Sequence, residues 1–146
     1  MLRIDIKKLK PNAVIPTRAH PHDAGVDLYA CVDTPVTIMP HHTAKVGTGL
    51  AMAIPTGFAG LIYARSGLAT KNGLRPANCT GVVDPQYRGE FIVALHNDTD
   101  SPQTIAPNER IAQLVIAPVM EAWFNEVDEL EETERGDGGF GSSGRL

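Results

Sequence analysis

Short runs in which apolar and polar residues alternate, punctuated by Gly, Pro and Asn, dominate this chain. Leu2, Ile4 and Ile6 alternate with Arg3, Asp5 and Lys7, the period-two pattern of a half-buried strand, and Lys10-Pro11-Asn12 ends it. After the polar loop 18–23, Val26, Leu28 and Ala30 face one side of a second strand, with Asp27 and Tyr29 on the other. Residues 36–39, 44–46, 49–54 and 58–63 read as further strands, followed by 91–97, 103–105 and 114–118. Between 78 and 90, Val82-Val83 leads into Asp84-Pro85-Gln86-Tyr87-Arg88-Gly89 and then into the run 91–95, which reads as a hairpin with Pro early and Gly late in its turn. Only residues 66–73 look helical, with Ser66 as N-cap and Gly73 as the C-terminal stop. Strands this short, at roughly 8–12-residue intervals, predict an all-β sandwich, barrel or jelly roll.

The composition agrees. At 146 residues the chain suits one domain, and 14 Gly with 11 Pro favour many turns. Two cysteines, Cys31 and Cys79, are too few for a disulfide framework and fit a reducing compartment, and Cys79 reads as a packing residue. The charged, alternating N-terminus is not a signal peptide, and no apolar run nears the ~20 residues that cross a bilayer. A soluble cytoplasmic protein without a membrane partner is expected. The net charge of −4 hides a division, because residues 121–134 hold seven of the 17 acids and no Lys or Arg, leaving ten acids against 13 bases elsewhere. That balance is too weak for a nucleic-acid surface and suits a small anionic ligand gripped by a few arginines.

Several stretches carry chemistry. Asp84, Tyr87 and Arg88 crowd one bend, where sites on rigid scaffolds usually lie; an ordinary β-turn with solvated charges is the alternative. Arg65-Ser66-Gly67 stands where a strand gives way to a helix, and free N–H groups with an Arg fork and a hydroxyl suit phosphate; a plain helix start is the alternative. From Arg135 onward the chain is RGDGGFGSSGRL, with five Gly among residues 136–144. This tail is expected to be disordered alone, yet it could wrap phosphates through backbone N–H groups, and Phe140 suggests a stacking contact. The histidines lack the spacing of a zinc site, and His96 reads as a hydrogen-bonded wall residue. Gln113, polar at the head of an apolar strand, implies a specific partner for its amide. Asn108 suits a left-handed turn position.

Five stretches, AGVDLYA at 24–30, ARSGLA at 64–69, NCTGVVDPQYRGE at 78–90, NERIAQLVIAPV at 108–119 and RGDGGFGSSG at 135–144, together resemble the homotrimeric dUTPase family. The resemblance implies a jelly-roll-like fold, with residues 1–134 as the β-rich body and 135–146 as a flexible C-terminal arm. It implies hydrolysis of dUTP to dUMP and pyrophosphate, which keeps uracil out of DNA and supplies dUMP for thymidylate synthesis. Asp84 matches the general base, Tyr87 the residue packed on the deoxyribose, and Asn78 with nearby backbone the groups that read uracil. Arg65, Ser66, Gly67 and Gln113 match phosphate-binding positions. Arg135, Ser142 and Ser143 match γ-phosphate contacts, and Phe140 an aromatic lid. Mg²⁺ is implied as cofactor, held mainly by the triphosphate, with Asp27 near its shell through water. The partners implied are dUTP and two further copies of the chain, with active sites shared between subunits. Arg88 is left without a role. Pro85-Gln86 departs from the family's more usual small or acidic pair, and Asn108 from a more usual Gly. Two other readings fit the same fold: a dCTP deaminase, mono- or bifunctional, and a catalytically silent nucleotide-binding relative.

Overall fold

The computed structural model describes residues 2–139. Eleven strands and one helix follow one another, and every strand pairing is antiparallel. A four-stranded sheet runs β2 (Gly25–Tyr29), β11 (Arg110–Pro118), β6 (Phe58–Tyr63), β8 (Thr80–Val83). A three-stranded sheet runs β4 (Thr43–Gly47), β9 (Ile92–Asn97), β7 (Leu74–Pro76). Two pairs complete the body: β1 (Asp5–Lys8) with β5 (Leu50–Ala53), and β3 (Val36–Ile38) with β10 (Gln103–Ile105). The result is all-β, as the strand spacing implies, and jelly-roll-like, as the family resemblance implies.

Period-two patterning supplies the core. Leu28 and Ala30 are fully buried while Asp27 and Tyr29 face away, and Val46, Leu95, Ile105, Ile111 and Leu114 meet them from other strands. Each Leu, Ile or Val among them contributes roughly 1.5–3 kcal/mol on burial, which is what holds sheets lacking helical cover. Thr48 and Asn97 are the polar exceptions among the described residues: the Thr48 hydroxyl donates to the Phe91 carbonyl, and the Asn97 amide donates to the Ile38 and Ser101 carbonyls and accepts from Thr99, so neither is left unpaired. The first strand begins at Asp5 rather than Leu2; Leu2 stays exposed, and pairing starts where β5 provides an edge.

The helix α1 (Ser66–Asn72) shows how local sequence acts. Gly73 takes the left-handed conformation, φ 61°, and its N–H bonds the carbonyls of the last turn. Ser66 is not the N-cap: Arg65 holds that place in extended conformation, no side chain caps the helix, and Ser66 is its first residue. The Ser66 hydroxyl therefore stands exposed beside amides that have no partner within the helix.

The expected hairpin does not form. β8 pairs with β6, whereas β9 pairs with β4 and β7, so the segment 84–91 is a corner leading from one sheet to another. The turn itself is present, with the Tyr87 N–H donating to the Asp84 carbonyl at 3.1 Å across Pro85-Gln86. Two apolar runs flanking a turn look the same whether or not they pair, and here each finds its partners elsewhere. Arg88 closes the corner by donating to the Pro85 and Tyr87 carbonyls. Cys79 is also corrected: Cys31 is buried, but Cys79 is an exposed turn residue at φ 62°.

Candidate active site

The parting of β8 from β9 makes the first cleft. The Ala77 N–H still donates to the Ala94 carbonyl at 2.7 Å, and beyond that point the strands diverge with no ladder between them. The cleft has a volume of about 240 Å³ and is lined by Asn78, Val83, Asp84, Tyr87 and Phe91, among others. The corner thus gathers Asn78, Asp84 and Tyr87 around one space, as the sequence pattern suggests. Asp84 is exposed at the end of β8. The Tyr87 ring lies 6.2 Å from the Phe91 ring at 45°, and its hydroxyl donates to the Glu90 carbonyl at 3.0 Å. No Lys or Arg lines this cleft among the described residues.

A second cleft, of about 380 Å³, lies at the other edge of the four-stranded sheet and is lined by Asp27, Arg65, Ser66, Gly67 and Gln113, among others. These positions are far apart in sequence and come together because β2 and β6 both pair with β11. Gln113 has the specific partner its position implies, since its side-chain amide donates to the Ala64 carbonyl at 2.8 Å. Gly25 makes room for that amide, because a Cβ there would stand 2.6 Å from the Gln113 oxygen. Gly67 has open space where a Cβ would project. Asn108 adopts φ 61°, the left-handed turn geometry expected of it.

Asp27 serves two arginines. Its carboxylate accepts from Arg65 Nε at 2.7 Å and from Arg110 at 3.3 Å, with only 12% of its side chain exposed. The pair fixes the Arg65 guanidinium beside β2, at little entropic cost because the carboxylate is itself held on a strand. Sequence reasoning missed Arg110, whose partner lies 83 residues away. It also missed Glu90, which accepts from the Gly49 N–H at 2.7 Å. Neither carries a local signal beyond its charge.

Other positions fall outside the clefts. Arg135 folds onto its own chain, donating to the Gly138 carbonyl at 2.8 Å, and lines neither cleft. Phe140, Ser142 and Ser143 lie outside the described residues. His96 is hydrogen-bonded to the Thr43 hydroxyl at 2.9 Å, the wall role expected of it. A hydrogen bond from Arg75 holds the Asp98 carboxyl below the usual range, and the same bond raises Arg75. The pair's contribution is therefore in place at neutral pH and fades as pH falls through the lowered Asp98 value, and it tethers the end of β7 just before Asn78. No group of three His, Cys, Asp or Glu is placed to hold a metal among the described residues. None of the described helices is long and apolar enough to cross a membrane.

A jelly-roll-like sheet with a carboxylate cleft at one edge and an Arg-Ser-Gly helix start at the other defines the class. The family model for dUTPase matches residues 11–144. A deoxyuridine 5'-triphosphate nucleotidohydrolase of Rhodococcus erythropolis is 51% identical over 144 residues, spanning 98% of this chain and 87% of its own. The dUTPase of Staphylococcus bacteriophage 80alpha, solved with dUPNHPP, superposes with a TM-score of 0.86 at 32% identity, covering 99% of both chains. A dUTPase variant from phage phi11 of S. aureus, whose structure describes the coordination of a structural Mg(II) ion, gives a TM-score of 0.78 at 27% identity over 90% of this chain and all of its own. The chain belongs to the dUTPase family.

Proposed function

We propose that this enzyme of the dUTPase family cleaves dUTP into dUMP and pyrophosphate with Asp84 as the general base. The observation that carries the reading is the grouping of Asn78, Asp84 and Tyr87 around one cleft that opens where two strands part. Backbone groups bordering such a gap lack ladder partners, so they and the Asn78 amide can pair with the edge of uracil. Apolar neighbours, among them Ile62, Val82 and Val83, leave little room for thymine's methyl group. The exclusion has to be a steric clash, since one methyl in a soft pocket discriminates by only ~1–3 kcal/mol. Tyr87 offers its ring face to the deoxyribose and leaves no space for a 2′-hydroxyl.

In the chemical step the Asp84 carboxylate accepts a proton from a water as that water's oxygen bonds to the α-phosphorus. The bond to the bridging oxygen breaks, and its electron pair leaves with pyrophosphate. A carboxylate can act this way only where cations offset the phosphate charge. Arg65, the Ser66 hydroxyl, the Gly67 amide and Gln113 form the phosphate cradle of this reading. Gly25→Ala drives the Gln113 amide off its bond to Ala64 and is expected to lower kcat/KM about tenfold, the scale of one hydrogen bond to a charged group. Steady-state kinetics on dUTP check it, and an unchanged kcat/KM counts against a phosphate role for Gln113.

Mg²⁺ fits the donor set. With only Asp23 and Asp27 as carboxylates lining the second cleft, and no group of three placed as a cage among the described residues, the ion would be held mainly by the triphosphate and its own waters, with Asp27 contributing through water. When bound, it would neutralise phosphate charge and hold the chain in line for attack.

The same geometry favours a homotrimer with shared sites. The two clefts sit at opposite edges of a four-stranded sheet, whose edge strands lie about 14 Å apart across three strand spacings. The Asp84 cleft is lined by no cation of its own among the described residues, so a phosphate cradle from another copy is the natural complement. Met120, Trp123, Phe124 and Leu130 are all more than four-fifths exposed, a run of apolar surface suited to cover by a neighbour. Residues 135–146 act in this reading as an arm of the 1–134 body, with Arg135, Phe140, Ser142 and Ser143 closing over the nucleotide. We place the enzyme in the cytoplasm, where nucleotide pools are held. Incubation with dUTP and with dCTP, together with sedimentation, tests the whole. Pyrophosphate from dUTP and a mass three times the 15.7 kDa chain are expected. Ammonia from dCTP would assign a deaminase instead, and dUTP binding without pyrophosphate release a silent relative.

A further inference from the structure

Tyr87 is 45% exposed, so core packing alone does not fix its ring. A wall that rejects a single hydroxyl must nevertheless hold still. Its far end is held by the Glu90 carbonyl, and Glu90 is held in turn by the turn between β4 and β5. The Gly49 N–H donates to Glu90 Oε1 at 2.7 Å, and the half-buried carboxylate sits against Gly47, where a Cβ would stand 2.5 Å from the same oxygen. The next residue is clasped as well: the Thr48 hydroxyl and N–H both donate to the Phe91 carbonyl, at 2.7 and 3.1 Å, and the Phe91 N–H donates to the Leu50 carbonyl.

The turn is a firm base. The Gly49 carbonyl accepts from the Leu9 N–H at 2.7 Å, and the Gly47 carbonyl from the Cys31 N–H at 2.8 Å. Gly49 itself has φ +67°, and a Cβ there would run into Cys31 and Ala13. On the other side, Gly89 lets the phenol lie flat on the backbone, because a Cβ at that position would overlap its hydroxyl.

We propose that Glu90 is a positioning residue for sugar selection: its carboxylate latches the 84–90 corner to the β4–β5 turn and so keeps Tyr87 rigid enough to reject a 2′-hydroxyl. The inference rests on the reading of Tyr87 as the sugar wall. Glu90 touches no reacting atom. Its loss loosens the wall, so ribonucleotide gains access while the chemistry at Asp84 persists.

The test compares kcat/KM for dUTP and UTP, with the thermal midpoint, in the full-length protein and four variants. Glu90→Ala and Gly47→Ala are both expected to narrow the dUTP-over-UTP preference about tenfold, chiefly through a lower KM for UTP. Glu90→Gln keeps an oxygen acceptor for the Gly49 N–H and is expected to stay within about threefold of wild type. Gly47→Ala displaces the same carboxylate with Glu90 intact, so the test does not hinge on the folding of one variant. If Glu90→Ala and Gly47→Ala lower the midpoint and both rates together while the preference stands, or if Glu90→Gln behaves as Glu90→Ala, the proposal is overturned. Tyr87→Ala separates the two readings. Loss of preference there with none in Glu90→Ala sinks only the latch, whereas retained preference in Tyr87→Ala removes the sugar wall and the latch with it.

Discussion

Replacing Asp84 with Asn lowers kcat on dUTP by a factor of about 10³, within the range a positioned general base contributes, and leaves dUTP binding within about threefold. The amide is the same size as the carboxylate and cannot take the proton of the attacking water. The turn that presents residue 84 depends on its backbone carbonyl, which accepts from the Tyr87 N–H, and the side chain is exposed, so the fold loses nothing. Removing a negative charge beside the phosphates also removes repulsion, which keeps affinity from falling. Single-turnover kinetics and equilibrium titration measure the two quantities separately. A near-normal kcat would remove Asp84 as the base.

Truncation after Glu134 is expected to cut kcat/KM on the order of a hundredfold, the scale of lost positioning and closure, while the body stays folded with a thermal midpoint shifted by less than about 2 °C. The stability half of that expectation comes from the fold. The buried core ends at Leu114, with Ile116 packed partly against it, and residues 119–134 form no strand or helix among the described elements. The activity half comes from the tail's sequence, which has Gly for backbone contact with phosphate, and Arg135, Ser142 and Ser143 as polar arms. Circular dichroism with a dUTP assay reads both. An unfolded truncation product would make the tail structural, and an undiminished rate would leave it without a part in closure.

Strand existence was legible in sequence because one buried face imposes a period of two, and Leu28 with Ala30 against Asp27 with Tyr29 shows it directly. The same holds where a residue type has one strong physical use: Gly73 and Asn108 are in left-handed conformations, and Gln113 has its amide partner. Pairing was not legible. The runs on either side of Asp84 have the pattern of a hairpin, but alternation specifies which face is buried and not which neighbour supplies the hydrogen bonds. The short β7 escaped notice because Leu74-Arg75-Pro76 has too few residues to show a period. Of the site, the side chains with reactive groups stood out, whereas the residues that hold them did not. Asp27 and Arg110 meet across 83 residues, and Glu90 reaches a backbone amide 41 residues away. Glu90 beside a Gly reads as an ordinary solvated turn until the β4–β5 turn is placed against it.

If water directed by Asp84 attacks the α-phosphorus of dUTP, its oxygen ends in dUMP. Turnover in ¹⁸O-labelled water, with mass analysis of both products, follows that atom. Each dUMP is expected to carry one ¹⁸O and pyrophosphate none; label in pyrophosphate would place the attack at the β-phosphorus instead.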